Sequence, residues 1–322
     1  MKKYRTVLYL SFIICGLLSL SGCSMLKKSK THMVYSDSNR KVSLVGGTGA
    51  YSIGMVLDDK ELLVCDETGS ERFRKKFTNR ISYLDMIGDV ALLAFDNGNV
   101  EIYRCNDEQS APVSKHSFDA GIIKAELMRN SSAVVLLDNG ELWKTTGENF
   151  KEFIPVDTEV KDVAYEIRTE AILYVTENGQ IKCISNGYRL STEVESISGV
   201  VTIEDAYLYS EKGLAIRFLV VNGTESRFMA IDQETKELYL SEKYPEFDPG
   251  SLDVSKTIPE GVSYRINGET FYEGTSYNER RVYGYEYNKR LALSIPKGYN
   301  TCAIMGGVIL YNDHEVKVLL IE

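Results

Sequence analysis

ALLAFDNGNVEIYRC, residues 91–105, consists of five apolar residues, an Asp-Asn-Gly triplet and a mixed run. Asn-Gly between two such runs is a strong short-range hairpin signal, read here as a two-residue type I′ turn with φ > 0 at both central positions. The first run has no polar face, which predicts a strand buried on both sides. The second sets Val100 and Ile102 against Glu101 and Arg104. The same grammar returns in AVVLLDNGELWKTTG from Ala133 and AILYVTENGQIKCIS from Ala171. Their glycines, Gly98, Gly140 and Gly179, are separated by steps of 42 and 39 residues. Self-similarity at such a period marks a repeat architecture.

Outward from each hairpin the repeat unit completes itself. A short strand-like run precedes it (81–86, 122–127, 160–167) and another follows it (112–118, 150–156, 188–192). Weaker copies extend both ways. MVLDDKELLVCD from Met55 reads as a hairpin turning at Asp59-Lys60, and GGVILYNDHEVKVLLIE from Gly306 as one turning at Asn312-Asp313. ESRFMAIDQETKELYLSEKY from Glu225 and RRVYGYEYNKRLALSIP from Arg280 read as outer strand pairs. Third strands fall near Val64, Tyr103, Trp143, Lys182, Ala230, Tyr285 and Val318, which is seven, or about 41 residues per unit over residues 36–322. Four short strands per unit is the content of a propeller blade, whose sheet stacks on both neighbours. The chain stops at the seventh third strand, so a strand from the N-terminus, 33–36 or 41–45, is expected to fill the outer place and close the ring. An unpaired edge there would invite aggregation.

The hairpin LLAFDNGNVEIYRCND resembles the inner pair of a WD40 blade, while AILYVTENGQIKCIS and FMAIDQETKELYLSE resemble quinoprotein-type (PQQ-like) blades. The Gly-His and Trp-Asp dipeptides of WD40 repeats are missing, and Trp143 is the only tryptophan. The resemblance implies an all-β fold: a single β-propeller of seven four-stranded blades, with six or eight also compatible with the spacing.

The N-terminus carries a different signal. Lys2, Lys3 and Arg5 precede an apolar stretch from Val7 to Leu20, followed by Leu20-Ser21-Gly22-Cys23. A positive start, a short apolar core and small residues mark a secretory leader. The core is shorter than the ~20 residues a membrane span needs. The last four residues resemble the lipobox of bacterial lipoproteins, which implies cleavage between Gly22 and Cys23 and a lipid on Cys23. The expected organisation is a signal peptide at 1–22, a basic tether at 23–35 and the propeller at 36–322. The expected location is the extracytoplasmic face of a cell membrane, or the outer membrane in a diderm cell.

Formal charge is −9; the leader holds three positive residues and no acid, leaving −12, and Lys27, Lys28 and Lys30 leave −15 from Ser36 onward. So acidic a body argues against nucleic acid, which wants a basic stripe. Beyond Cys15 and Cys23, four cysteines remain: Cys65, Cys105, Cys183 and Cys302. Three fall on corresponding strands of different units, too far apart to bridge, so thiols are expected. His32, His116 and His314 are isolated, and neither a metal nor another cofactor is expected. Gly46-Gly47-Thr48-Gly49 fails both the dinucleotide and the P-loop patterns and reads as a loop. Asp58-Asp59 reads as a turn rather than a catalytic pair.

The segment 264–287 is rich in aromatics, with Arg280 and Arg281 among them. Tyr272, Tyr277, Arg280 and Arg281 are the candidate partner-binding residues, since exposed aromatics with arginine suit a protein hot spot or sugar stacking. Tyr packing between blades is the plainer reading of the same pattern. No catalytic set assembles from the sequence. The expected function is a monomeric, non-enzymatic scaffold that binds an envelope protein or glycan. The alternative is an extracytoplasmic carbohydrate-active or other propeller enzyme with acids at the channel mouth.

Overall fold

The computed structural model describes residues 29–49, 51–106, 111–128, 132–146, 150, 152–166, 171–184, 201–209, 214–221, 225–232, 238–241, 263–266, 269–276, 279–286, 289–304 and 307–321. Between 201 and 295 it describes the backbone pairing. The leader, Gly22, Cys23, Tyr277, the run 188–192 and the connection 243–262 lie outside these residues.

All described elements are strands, arranged in seven antiparallel sheets. The first sheet is β2 (Val42–Gly49), β3 (Ser52–Leu57), β4 (Glu61–Cys65) and β5 (Glu71–Lys76). The second is β6 (Ile81–Ile87), β7 (Val90–Phe95), β8 (Asn99–Arg104) and β9 (Ser114–Ser117). The third is β10 (Ile122–Met128), β11 (Ser132–Leu137), β12 (Leu142–Thr146) and β13 (Glu152–Asp157). The fourth has three described strands, β14 (Val160–Glu166), β15 (Ala171–Thr176) and β16 (Ile181–Ile184). The fifth is β17 (Val201–Tyr209), β18 (Leu214–Val221), β19 (Glu225–Asp232) and β20 (Leu238–Ser241). The sixth is β21 (Ser263–Ile266), β22 (Glu269–Ser276), β23 (Glu279–Glu286) and β24 (Lys289–Ile295). The seventh joins both ends of the chain, in the order β25 (Asn300–Ile304), β26 (Gly307–Tyr311), β27 (Glu315–Ile321) and β1 (Ser29–Ser36). Every expected third strand occupies the third place of its sheet.

β1 pairs antiparallel with β27, Ser29 opposite Ile321 and Ser36 opposite Glu315. Of the two segments proposed for this place, the first is therefore correct, and the strand begins earlier, inside the segment read as tether. The second segment is instead β2, and Gly46–Gly49 belong to that strand rather than to a loop. Sheet packing explains the glycines. A Cβ at Gly46 would lie 3.3 Å from Leu84 Cγ, and one on Gly54 only 2.1 Å from Met86 Sδ.

The doubly apolar second strands serve two cores at once. In β7, Ala91, Leu93 and Phe95 pack with Val56, Leu62 and Phe73 of the first sheet. Leu92 and Ala94 pack with Ala133, Val135 and Leu137 of the third. In β11, Val134 and Leu136 turn to the fourth sheet. β3 does likewise: Val56 faces the second sheet, and Ile53, Met55 and Leu57 face Ile304, Ile309, Val316 and Val318 of the seventh. The period of two along a strand sends alternate side chains to opposite faces. Fully burying each such aliphatic side chain contributes about 1.5–3 kcal/mol.

Candidate functional site

The turns after the second strands differ in detail from the sequence reading. Gly98, Gly140 and Gly179 have φ of 80°, 83° and 77°, while their Asn neighbours are not in the positive-φ region. The amides of Gly98, Gly140 and Gly179 donate to Phe95, Leu137 and Thr176 respectively. These are type I turns followed by a left-handed glycine, the three-residue hairpin loop, and not type I′ turns. The Asn supplies a side-chain acceptor to the amide two residues on, Asn97 to Asn99 and Asn139 to Glu141. Such Asx bonds are why Asn favours turns. The type I′ geometry occurs instead at Asp58-Asp59, with φ of 50° and 61° and a Lys60 N to Leu57 O bond of 3.1 Å. That turn lies one residue earlier than the Asp59-Lys60 reading. The left-handed region costs a non-glycine residue about 1–2 kcal/mol. Here Asp58 is held by the Arg40 guanidinium at 2.7 Å and the Lys41 amide at 2.8 Å.

These turns also join the sheets. Val160 N donates to Gly140 O at 2.9 Å and Ile81 N to Asp59 O at 2.7 Å. In each case the start of one sheet is tied to the turn of the sheet before it. Val42 N donates to Asp313 O at 2.7 Å, so the first sheet is tied to the seventh by the same kind of bond. Around Asp58, Arg40 also holds Glu61 bidentately at 3.0 and 3.1 Å, and Arg74 reaches Glu61 at 2.5 Å. Glu61 is almost wholly buried. The Arg40 hydrogen bonds, followed by that from Arg74, hold its carboxyl below the usual carboxylate range.

A second set of polar residues lies on the first strands. Asp85 Oδ2 of β6 accepts the Leu127 amide of β10 at 2.6 Å, and Glu126 Oε2 of β10 accepts the Tyr165 amide of β14 at 2.9 Å. These bonds span 42 and 39 residues, the two steps that separate the hairpin glycines. A first strand is hydrogen-bonded on one side only, so its outer amides need a partner, and the carboxylate of the preceding sheet supplies one. Lys124 lies between Glu126 Oε1 at 3.2 Å and Asp162 Oδ1 at 3.5 Å. Asp162 also accepts the Val163 amide at 2.8 Å. Chemically, the cluster binds backbone amides and one ammonium group. The sequence reading missed Asp85 and Glu126. Their signal was a charge inside an apolar run, repeated at the step of the unit.

The sixth sheet holds the candidate partner-binding residues in two neighbouring strands. Tyr272 of β22 is opposite Tyr283, while Arg280 and Arg281 of β23 are opposite Thr275 and Gly274. Elsewhere, Gly298, Asn300, Asn312, Asp313, His314 and Glu315 line an open polar depression of about 440 Å³ beside the β26–β27 turn. Its floor is tied to the β1–β2 connection, with His314 Nδ1 3.0 Å from the Arg40 carbonyl. Cys65, Cys105, Cys183 and Cys302 form no disulfide. Among the described residues, no group of three or more His, Cys, Asp or Glu side chains could hold a metal ion.

No protein-family model matches the sequence, and comparison with curated proteins gives no match. Solved structures do resemble it. The β-propeller domain of Myceliophteria thermophila Cps50 (Swd1) superimposes with a TM-score of 0.59 at 12% identity, covering 91% of this chain and 100% of that one. The WD40 domain of Toxoplasma gondii coronin gives 0.54 at 12% identity, over 93% and 88% of the two chains. YCF48 bound to D1 peptide gives 0.50 at 9% identity, over 93% and 96%. At these identities the likeness is one of fold: the chain is an all-β protein with the β-propeller fold.

Proposed function

We propose that the chain is an exported lipoprotein, anchored through a lipid on Cys23 after cleavage at Gly22, whose body is a seven-bladed β-propeller closed by β1. It acts as a non-enzymatic protein-binding scaffold on the extracytoplasmic face of a cell membrane. The observation that carries the ring is the joint between the last and first sheets. Val42 bonds to Asp313 as Ile81 does to Asp59, and the apolar residues of β3 pack on β26 and β27 as those of β7 pack on the first sheet. Scaffolding is favoured because Asp85, Glu126 and Asp162, the acids clustered on the first strands, each have a carboxylate oxygen engaged by a backbone amide. YCF48, of the same fold, is solved bound to D1 peptide, so a ring of this kind can hold a polypeptide segment. Tyr272, Tyr277, Arg280 and Arg281 supply the contact with the partner, an envelope protein.

Crosslinking in intact membranes followed by affinity capture tests the reading. A partner recovered with the wild type, and lost with both Cys23→Ala and the Arg280→Glu/Arg281→Glu pair, is the expected result. Equal recovery by all three proteins, or recovery of none, would count against the scaffold.

A further inference from the structure

The strand directions sort the turns into two ends. β1 runs from Ser29, opposite Ile321, to Ser36, opposite Glu315, and Glu315 directly follows the β26–β27 turn. Val42 meets Asp313 at that same end, so β2 begins there and finishes at the other, where Tyr51 forms the turn to β3. Ser29 and Tyr51 therefore share one end of their sheets. The turns at Asp96-Asn97-Gly98, Asp138-Asn139-Gly140, Glu177-Asn178-Gly179 and Asn312-Asp313-His314 share the opposite end. Gly69, in the turn between β4 and β5 at the Tyr51 end, lies against β1: a Cβ there would sit 2.9 Å from the Val34 carbonyl oxygen.

We infer that the end bearing Tyr51 is the face that docks on the lipid surface, and that the end bearing the acidic turns points away from it. This rests on the lipid anchor at Cys23. Ser29 is six positions beyond Cys23, a reach of about 20 Å even when fully extended. Returning to the opposite end would mean retracing β1 from Ser29 to Ser36, about 23 Å at the rise of a strand. That leaves no length for the acyl chains to insert. Charge acts in the same direction. Lys27, Lys28 and Lys30 lie in or beside the tether, and basic residues there are attracted to an anionic leaflet. Tyr51 is 72% exposed, the most exposed of the large hydrophobic residues described. Tyrosine is enriched at the headgroup level, where one side of the ring is apolar and the other wet.

Fluorescence quenching in membranes tests the orientation. The full lipidated chain, with Trp143→Phe as background, receives a single tryptophan by Tyr51→Trp, Met33→Trp or Asn139→Trp. All three sites are exposed, and the last two probe the outer strand and the opposite end. Each protein is reconstituted in vesicles of phosphatidylcholine and phosphatidylglycerol carrying headgroup-proximal nitroxide lipid. Quenching of at least about twofold at position 51, with little at 33 and 139, is the expected result for a ring held at the headgroups. Strongest quenching at 139 or 33, or none at all, in protein that still sediments with the vesicles, overturns the face assignment and leaves the anchor standing. Wild-type protein that fails to sediment, or whose Cys23 is unmodified by mass spectrometry, overturns the anchor and this orientation with it.

Discussion

At Gly98, two demands meet in one residue. Its φ is 80°, and a Cβ would come within 2.5 Å of the Phe118 carbonyl and 2.9 Å of the Ala120 carbonyl. Gly88 has φ of 58° and nothing within 4 Å. Gly88→Ala should therefore lose only the left-handed cost, about 1–2 kcal/mol. Gly98→Ala adds a clash with the Phe118 and Ala120 carbonyls, and should cost roughly twice that. Equal shifts of the urea midpoint would refute the difference. Glu61 makes a pH prediction. Its folded carboxyl titrates below its unfolded value, near 4.3. Its contribution to stability is thus complete above about pH 5 and is lost as pH falls through the folded value. Glu61→Gln should lower the urea midpoint at pH 7 and flatten its acid slope. An unchanged acid slope would show that other carboxylates carry it. At this scale the sequence was only partly legible. Asp-Asn-Gly announced a turn, yet the type depended on Asn97 accepting an amide, and the need for Gly98 came from Phe118 twenty residues away.

At the scale of the strand, legibility was high where burial was two-sided and low where the pattern was short. The second strands were readable because alternate residues enter two different cores, leaving no polar phase. β1 was read late because Ser29–His32 looks like a solvated tether; its partner, β27, lies at the far end of the sequence. Gly46–Gly49 read as a loop because glycine is rare in strands, and it is the approach of Leu84 to Gly46, and of Ser52 and Ile309 to Gly47, that leaves little room for a side chain there. The first-strand carboxylates were missed because their partners are backbone amides one sheet away. Asp85→Ala should leave the Leu127 amide without its acceptor, and Glu126→Ala the Tyr165 amide, each at about 1–3 kcal/mol. The Leu127 amide follows Glu126 directly in β10, so the two losses should depart from additivity by about 0.5 kcal/mol or more. Chemical denaturation of the double variant checks this, and a total equal to the sum would mean that the joints act independently. Arg280 and Arg281 fell in a run read as a strand, and Tyr272 lies on the strand paired with it, but the pattern held no information on which surface they serve.

At the scale of the whole molecule, the seventh sheet is the one that two distant parts of the sequence must build together. Removing residues up to Ser36 should leave the edge of β27 open along its length. The expected outcome is a lower melting temperature and concentration-dependent association by light scattering. A truncated protein as stable and as monomeric as the full body would mean that β1 is dispensable. The four-stranded unit was legible because three copies repeat the same apolar grammar, whereas the site for a partner was not, since a fold specifies a surface and not its occupant. There is also a kinetic side to the β1–β27 pairing. Ser29 and Ile321 are 292 positions apart, so β1 finds its neighbour only after everything between them has been made. Local hairpins can form as they appear, but this contact carries the largest loop-closure entropy in the chain. Completion of the fold is therefore expected to be a late, slow, long-range event. Any chain that stops before β27 should keep β1 without its partner strand, a hungry edge and a substrate for proteases and chaperones rather than a smaller working protein.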